Sequence, residues 1–238
     1  MGYLLSNLLV VDDVPARRDA RVRLLEEDGH AVRAASGGAE ALRLAERAPP
    51  ALVILERELS GLSGTELCRR LRAAEATAAV GVLFLSASAD EIDRVVAFEV
   101  GADDILSEPY HPRELLLRVR AILRRVRVQP ARLGVAAPGL TVDPELGRAR
   151  IGDAVVTLSR SELRLLQALA QRGGGLVSRA ELSHQVWGSV PPEEHRSLDT
   201  LLRRLRARLG PERDRLVTVR GVGYRLDTDG LGPWHQTR

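Results

Sequence analysis

Short apolar runs alternate with amphipathic stretches through the first half of the chain. Each run has the length of a β-strand, and each is followed by apolar residues at helical spacing. The runs are Leu8–Val11, Ala31–Ala35, Ala51–Leu55, Val80–Leu85 and Asp104–Leu106. The helical stretches are 14–27, 36–47, 65–73, 90–100 and 112–125. Five strand–helix units in succession predict a doubly wound α/β domain with a five-stranded parallel sheet.

The second half of the chain has a different pattern. Strand candidates lie at 140–142, 148–151 and 155–158, and helices at about 160–172, 179–187 and 196–209. Ser159 and Ser178 each stand three residues before a glutamate, which is the spacing of a capping box at a helix start. Two further strands, at 216–220 and 223–226, flank a Gly-Val-Gly turn. Three helices followed by a hairpin predict a winged helix, an α+β fold.

This change of pattern divides the chain into two domains. We assign residues 1–125 to the first domain and 139–228 to the second. Residues 126–138 contain two prolines and a glycine without a clear period, which is typical of a linker. Residues 229–238 form a tail for which the sequence suggests no role.

Charge is distributed unevenly between the two halves. All 35 basic residues are arginine. Residues 1–124 contain 16 arginines and 20 acids, a net of −4, whereas residues 125–238 contain 19 arginines and 12 acids, a net of +7. The second half is therefore the part expected to bind a polyanion. Because the chain has no lysine, none of its sites can use an ammonium side chain.

Composition also indicates the cellular compartment of the protein. No apolar run reaches the roughly 18–20 residues that span a bilayer, and the N-terminus lacks the basic region of a signal peptide. Cys68 is the only cysteine, which excludes an internal disulfide and a multi-cysteine metal site. We expect Cys68 to pack inside its domain. The sequence thus predicts a cytoplasmic protein with no membrane partner.

Polar side chains follow the predicted strands of the parallel sheet. Asp12 and Asp13 come after the first strand, Glu56 after the third, Ser86 after the fourth and Glu108 after the fifth. In doubly wound sheets the functional site lies at the carboxyl ends of the strands. The sequence therefore predicts an acidic site at that edge.

The third helix of the second domain has one apolar and one basic side. Its leucines recur at i, i+4, i+7 and i+11, and the remaining positions include Arg203, Arg204, Arg206 and Arg208. Guanidinium groups on such a helix can bind guanine or phosphate in the major groove, although a solvated surface helix would show the same pattern. Arg220 lies beside the glycine turn, where the backbone can approach a ligand closely, and this favours double-stranded DNA as the partner.

Four segments resemble the signature segments of the OmpR/PhoB effector domain, in the same order and with similar spacing. They are LSRSELRLLQAL, VSRAELSHQVWG, RSLDTLLRRLRARLG and VTVRGVGYRL. The resemblance implies a recognition helix around Thr200–Arg208, with Arg220 on the wing near the minor groove. It also implies that the loop at 187–196 contacts RNA polymerase and that the DNA sites are direct repeats. Trp187 and Tyr224 are expected in the core.

Residues 6–124 resemble the receiver domain of response regulators, a flavodoxin-like fold. The segments that carry the resemblance are LLVVDD, GLSG, FLSAS, GADD and EPY. In that family two acids hold a magnesium ion, an aspartate accepts a phosphoryl group, and a hydroxyl and a lysine bind the phosphate oxygens. Asp12 and Asp13 match the metal-binding acids, and Ser86 matches the hydroxyl. The Glu108–Pro109 peptide is expected to be cis, like the lysine–proline bond of the family.

Three positions depart from the receiver pattern. Glu56 stands where the acceptor aspartate should be, Glu108 replaces the lysine, and Ile105 replaces an aromatic residue that changes rotamer on activation. The extra methylene of Glu56 misplaces its carboxylate for in-line attack, and an error of about 1 Å can cost around a hundredfold in rate. Loss of the lysine removes a cation that would stabilise the phosphoryl oxygens. We therefore expect an atypical receiver, controlled without aspartyl phosphorylation.

Four carboxylates at one edge of the sheet, with no ammonium group among them, require something that compensates their negative charge. Three forms of compensation remain open: a divalent cation such as Mg²⁺ bound by Asp12 and Asp13, a raised carboxyl pKa, or an arginine reaching in, with Arg57 as a candidate. No cofactor is otherwise required. In a further alternative, Glu56 imitates a phosphorylated aspartate and keeps the protein active.

Positions that matter for dimerisation in the family are better preserved than the phosphorylation site. Cross-dimer ion pairs form there between the fourth helix, the fifth strand and the fifth helix. The matching residues are Arg94, Glu99, Asp104, Glu114, Arg118 and Arg120. The resemblance implies a homodimer on this surface, although solvated helix faces would give the same pattern.

These features together predict a sequence-specific transcription regulator and not an enzyme. A magnesium-dependent phosphatase would lack a positioned nucleophile and a phosphate-binding cation, and it would leave the basic half without a role. A pure protein-interaction module would leave the four effector segments unexplained. Control by a small ligand in the altered pocket, residual phosphorelay control and a purely structural receiver remain alternatives within the regulator class.

Overall fold

The computed structural model describes residues 6–87, 91–127, 140–143, 147–152, 154–187 and 195–227. The chain divides into two compact units, Met1–Val128 and Gln129–Arg238. The predicted tail and all but two residues of the predicted linker lie outside the described residues. Within the described part, no helix is long and apolar enough to cross a membrane.

The first unit is the predicted doubly wound α/β domain. Its parallel sheet has the strand order β2-β1-β3-β4-β5. The strands are β1 Asn7–Val11, β2 Ala31–Ala35, β3 Leu52–Glu56, β4 Gly81–Ser86 and β5 Asp104–Ser107. The helices are α1 Pro15–Glu27, α2 Gly38–Arg47, α3 Gly64–Ala73, α4 Glu91–Val100 and α5 Pro112–Arg127.

Alternate residues of the strands pack into two separate cores. Leu9 and Val11 of β1 face one core with α2, α3 and α4, and Cys68 is fully buried there, as predicted. Leu8 and Val10 face the other core with α1 and α5. Because both faces are covered, β3 and β4 are buried along their whole length, which explains their continuous apolar sequences.

The second unit is the predicted winged helix. Three antiparallel strands come first: β6 Leu140–Asp143, β7 Arg148–Ile151 and β8 Ala154–Thr157. The helices are α6 Arg160–Ala170, α7 Arg179–Trp187 and α8 His195–Leu209, and a 3-10 helix follows at Gly210–Arg215. The capping box at Ser159 and Glu162 is present at the start of α6. One core contains the leucines of α8 together with Trp187 and Tyr224, as predicted.

The hairpin of the second unit has a third strand that the sequence pattern did not predict. β10 (Leu216–Val219) pairs with β11 (Gly223–Leu226), and β11 pairs with the two-residue strand β9 (Val177–Ser178). A Cβ atom on Gly223 would lie 2.1 Å from the carbonyl oxygen of Val177. Glycine is therefore required for β9 and β11 to approach each other.

Candidate functional site

A buried arginine lies among the acids at the carboxyl edge of the parallel sheet. Arg21, on α1, is 5% exposed. Its Nη1 donates to Asp12, after β1, and its Nη2 donates to Glu108, after β5. Both nitrogens lie 3.4 Å from Oε2 of Glu56, at the end of β3. One guanidinium group therefore connects the ends of three strands.

A second arginine of α1 contacts the same carboxylates. Nε of Arg17 lies 3.2 Å from Oδ2 of Asp12, and its Nη atoms lie 3.9 Å from Glu56 and 3.8 Å from Glu108. Residues four apart share one side of a helix, so α1 directs Arg17 and Arg21 to the same place. The side chain of Arg17 is 39% exposed, so solvent screens its ion pairs more than those of Arg21.

A tyrosine completes the set of partners around Arg21. The Nε–H group of Arg21 donates to the hydroxyl oxygen of Tyr110 at 2.9 Å. Tyr110 is half-buried beside the core under α5 and stands two residues before that helix. Burial raises the pKa of Tyr110, so its hydroxyl stays protonated. We call Asp12, Arg17, Arg21, Glu56, Glu108 and Tyr110 the receiver cluster.

Burial determines the electrostatics of the receiver cluster. Asp12 is fully buried and Glu56 is 3% exposed, and a buried carboxylate is costly unless it is paired. Burial raises the pKa of Glu56, while Arg21 and Arg17 oppose that shift. For Arg21, burial lowers the pKa, but Tyr110 and the acids outweigh burial and raise it overall. Arg21 therefore remains charged, and its ion pairs compensate the acids.

Backbone contacts hold two of these acids in place. The Gly64 N–H group donates to the carbonyl oxygen of Arg57, and a Cβ atom on Gly64 would lie 2.4 Å from the carbonyl oxygen of Glu56. The start of α3 can pack against Glu56 only because residue 64 is glycine. The Glu108 N–H group donates to the carbonyl oxygen of Ser86 at 2.8 Å, and the Glu108–Pro109 peptide is cis, as expected.

Three residues predicted to take part in the acidic site have other surroundings. Oδ2 of Asp13 accepts hydrogen bonds from the hydroxyl and the N–H group of Ser60, and these bonds lower the pKa of Asp13. Ile105 is 5% exposed and packs in the core that includes α4. Arg57 pairs with Glu58 instead of entering the cluster. Ser86 is fully buried at the end of β4.

An arginine reaching in was one of three open forms of compensation, and the arginines that contact the acids are not the candidate Arg57. Proximity in sequence suggested Arg57, whereas α1 supplies the guanidinium groups across the sheet edge. The signal available in the sequence was the pair Arg17 and Arg21, spaced by four on the helix that follows Asp12. Tyr110 was also missed, although it follows Glu108 and Pro109 directly.

The receiver cluster does not fit a resident metal ion. Among the described residues, no three His, Cys, Asp or Glu side chains are arranged to hold a metal. Arg21 lies between the carboxylates of Asp12, Glu56 and Glu108, which are the ligands that a divalent cation would need. Asp13, the other predicted ligand, is bound to Ser60.

Four of the six predicted dimerisation residues form ion pairs within the chain. Nη1 of Arg118 lies 2.9 Å from both carboxylate oxygens of Asp104, and its Nη2 lies 3.0 Å from Glu114. Arg120 instead pairs with Asp28, the residue that follows α1. Glu99 is exposed. The side chain of Arg94 lies outside the described residues.

The polar residues of α8 fall into two groups. Arg203 and Arg208 are exposed, as is Arg220 at the hairpin turn. Nη2 of Arg204 lies 3.0 Å from Glu162, which is fully buried in α6. Nη2 of Arg206 donates to the carbonyl oxygen of Leu216 and to the hydroxyl of Thr218, each at 2.7 Å.

Three of the six predicted DNA-contacting residues have surroundings within the domain that the sequence pattern did not indicate. Arg204 and Arg206 are bound to α6 and β10, and the side chain of Thr200 is 7% exposed. The periodicity of α8 identified its polar side correctly, but it could not show that two of the arginines lie within reach of other elements. The loop predicted to contact RNA polymerase lies mostly outside the described residues.

Comparison with known proteins agrees with both units. The response regulator receiver domain matches residues 8–120, and the C-terminal domain of transcriptional regulatory proteins matches residues 153–226. The phosphate regulon transcriptional regulatory protein PhoB of Pseudomonas aeruginosa is 36% identical over 224 residues, which cover 94% of this chain and 98% of PhoB. The sensory transduction protein RegX3 of Mycobacterium tuberculosis is 34% identical over 229 residues, which cover 94% of this chain and all of RegX3.

A solved structure supports the fold. The structure of a RitR mutant has a TM-score of 0.76 to this chain at 22% identity, and the match covers 93% of this chain and 98% of that one. The two domains define a response regulator with a DNA-binding output domain. The chain belongs to the OmpR/PhoB family of such regulators, and its relatives are transcription regulators and not enzymes.

Proposed function

We propose that this protein is a cytoplasmic, sequence-specific transcription regulator whose receiver is stabilised by an internal arginine and controlled without aspartyl phosphorylation. The observation that carries the proposal is the position of Arg21. Its guanidinium group binds Asp12, Glu56 and Glu108 together. These residues stand where a receiver of this family keeps a metal ligand, the phosphoryl acceptor and a lysine.

Phosphoryl transfer needs a nucleophile in line with the donor and cations around the transferred oxygens. Glu56 is 3% exposed, and its carboxylate lies against Arg21. A donor would have to displace Arg21, and the three carboxylates would then lose their buried partner. Breaking a buried pair in this way costs several kcal/mol, roughly 3–5. The cluster therefore favours a receiver that keeps one state without a phosphoryl group.

We propose that the receiver forms a homodimer through the surface of α4, β5 and α5. Leu117 on α5 is 55% exposed, and Asp104, Glu114 and Arg118 surround this part of the helix with charge. An apolar contact with charged neighbours is typical of an interface in which ion pairs determine the register. We leave Arg120 out of this surface because its partner, Asp28, follows α1 and does not lie on α4, β5 or α5.

For DNA, we propose direct-repeat sites that are read by α8 and the hairpin. The exposed residues Arg203, Arg208 and Arg220 are the ones we expect to contact bases or phosphates. RNA polymerase would bind the 187–196 loop.

Light scattering with and without beryllofluoride plus Mg²⁺ tests control of the receiver. We expect the same molar mass and the same melting temperature in both conditions, because Arg21 occupies the pocket. A family member that keeps the acceptor aspartate serves as the reagent control. A mass that doubles only with beryllofluoride would show that the pocket still binds a phosphoryl analogue, and the proposal would be wrong. An unchanged monomer would leave phosphorylation-independent control standing but would contradict the dimer.

A further inference from the structure

Three side chains of the second unit join three different elements around the start of the recognition helix. Arg179, at the start of α7, binds Asp199 of α8 through two hydrogen bonds of 2.7 and 2.8 Å. The Tyr224 hydroxyl of β11 accepts from Arg179 at 2.5 Å and donates to Asp199 at 2.9 Å. The Arg179 guanidinium carbon also lies 5.8 Å from the centre of the Tyr224 ring.

We call Arg179, Asp199 and Tyr224 the triangle. It lies on the side of α8 that is expected to face DNA. Asp199, Arg203 and Arg206 are spaced at i, i+4 and i+7, so they share one side of the helix. Asp199 is bound by Arg179, and Arg206 is bound to the β10 strand of the hairpin. Arg203, which is exposed, stands one turn from each of them. Asp199 and Arg206, which lie on either side of Arg203, are thus bound to neighbouring elements.

Asp199 is an unusual residue for such a surface, because its side chain is 57% exposed. An unpaired carboxylate there would repel DNA phosphates and compete with them for Arg203. A bidentate arginine pair neutralises the carboxylate and fixes its direction. The Tyr224 ring, which is 5% exposed, anchors the other side of the triangle in the core.

We propose that Arg179 is a positioning residue for DNA recognition, which binds Asp199 and Tyr224 so that α8 and the hairpin meet DNA as one unit. Arg179 does not itself contact DNA. Its loss removes the guanidinium partner of Asp199 and the link between α7 and α8, and leaves the Tyr224 hydroxyl to hold Asp199 against β11. The effect falls on specific DNA binding, which needs Arg203 and Arg220 to reach the same site together.

The test uses the full chain, a duplex selected by the wild-type protein from a random pool, and a random-sequence duplex. We expect Arg179→Met to raise the Kd for the selected duplex about fivefold and to reduce the ratio of selected to random affinity. The slope of log affinity against log salt should not change, because no phosphate contact is lost. Asp199→Asn in the Arg179→Met chain should bring the Kd back toward the wild-type value, because the negative charge on the recognition side is then removed.

Two control variants complete the design. Arg172→Met breaks another surface pair, with Glu181, that does not involve α8, and it should leave the affinity ratio unchanged. Tyr224→Phe keeps the buried ring and removes only the hydroxyl, and it should lower the affinity ratio about twofold. If circular dichroism shows that Arg179→Met does not fold, the affinity ratio of Tyr224→Phe tests the proposal in its place.

Three results would overturn the proposal. A salt slope reduced by about 0.9 without rescue by Asp199→Asn would make Arg179 a phosphate ligand. A lower melting temperature with an unchanged affinity ratio would leave Arg179 a structural role only. An unchanged ratio in Tyr224→Phe would show that the triangle does not position α8.

Discussion

Arginine has opposite roles in the two units of this protein. In the receiver, Arg21 is 5% exposed and is surrounded by three carboxylates from the ends of three strands. On the recognition helix, Arg203 is exposed beside a core of leucines. The residue type is the same, and the difference shown is burial. A buried guanidinium group paired with internal carboxylates stabilises its own domain, whereas an exposed one can reach an external polyanion.

The strongest test of this comparison is to remove the buried guanidinium. Arg21→Met should destabilise the receiver by about 3–5 kcal/mol, because Asp12, Glu56 and Glu108 would lose their shared partner. Hydrogen exchange of peptides from β1 and β3 in increasing urea measures this loss in the receiver alone. Arg23→Met on the exposed side of α1 is the matched control and should change stability by less than about 0.5 kcal/mol. Equal effects of both variants would contradict the role given to Arg21.

The same comparison can be made between neighbours on α8. Arg204→Met should cost the second unit about 2–3 kcal/mol, because the buried carboxylate of Glu162 would lose its ion pair. Arg203→Met, at an exposed position, should cost less than about 1 kcal/mol of stability and should weaken DNA binding about tenfold. Tryptophan fluorescence in urea and a DNA titration separate the two effects. If Arg204→Met weakens DNA binding without loss of stability, Arg204 belongs with the DNA-contacting residues after all.

A single hydroxyl should have a smaller effect. Tyr110→Phe removes the acceptor of the Arg21 Nε–H group and keeps the aromatic ring, so it should lower receiver stability by about 1–1.5 kcal/mol. The same hydrogen-exchange measurement applies. In the Arg21→Met chain the two effects should not add, because the hydrogen bond is already absent. Full additivity would mean that Tyr110 acts independently of Arg21.

The smallest expected effect is the change of receiver stability with pH. Burial raises the pKa of Glu56 and the arginines lower it, so the two influences partly cancel. Burial raises the pKa of Glu56 above its ordinary value of 4.5. The folded state then binds a proton more tightly than the unfolded state, so this contribution to stability is present at low pH and is lost as pH rises through the raised pKa. Glu56→Gln should reduce the fall in receiver stability as pH rises above about 4.5. An unchanged pH profile would show that Glu56 does not titrate in this range.

The sequence was sufficient for the fold because its signals are local. Among the described residues, apolar runs and helical spacing placed every α-helix and all but one strand to within a few residues, whereas the 3-10 helix at Gly210–Arg215 was not predicted. The exception, β9, has only two residues, and it forms because Gly223 allows the chain to come close. No periodicity can arise from two residues.

The candidate site was only partly predictable because side-chain partners are not local. Asp12, Glu56 and Glu108 were identified from their places after the strands, but Arg21 comes from α1 and Tyr110 from the loop before α5. On α8 the polar side was identified, but Arg206 and Asp199 have partners in the hairpin and α7. Periodicity shows which side of a helix a residue occupies, and it does not show which other elements lie near it.

The mutual dependence of Arg21, Glu56 and Glu108 also constrains how this receiver can evolve. Glu108→Lys alone would place a second cation against Arg21, and loss of Arg21 alone would leave three acids without a buried partner. Glu56→Asp alone would shorten the side chain that lies against Arg21. Substitutions at these three positions are therefore expected to depend on one another, because each changes the charge balance around the same guanidinium group.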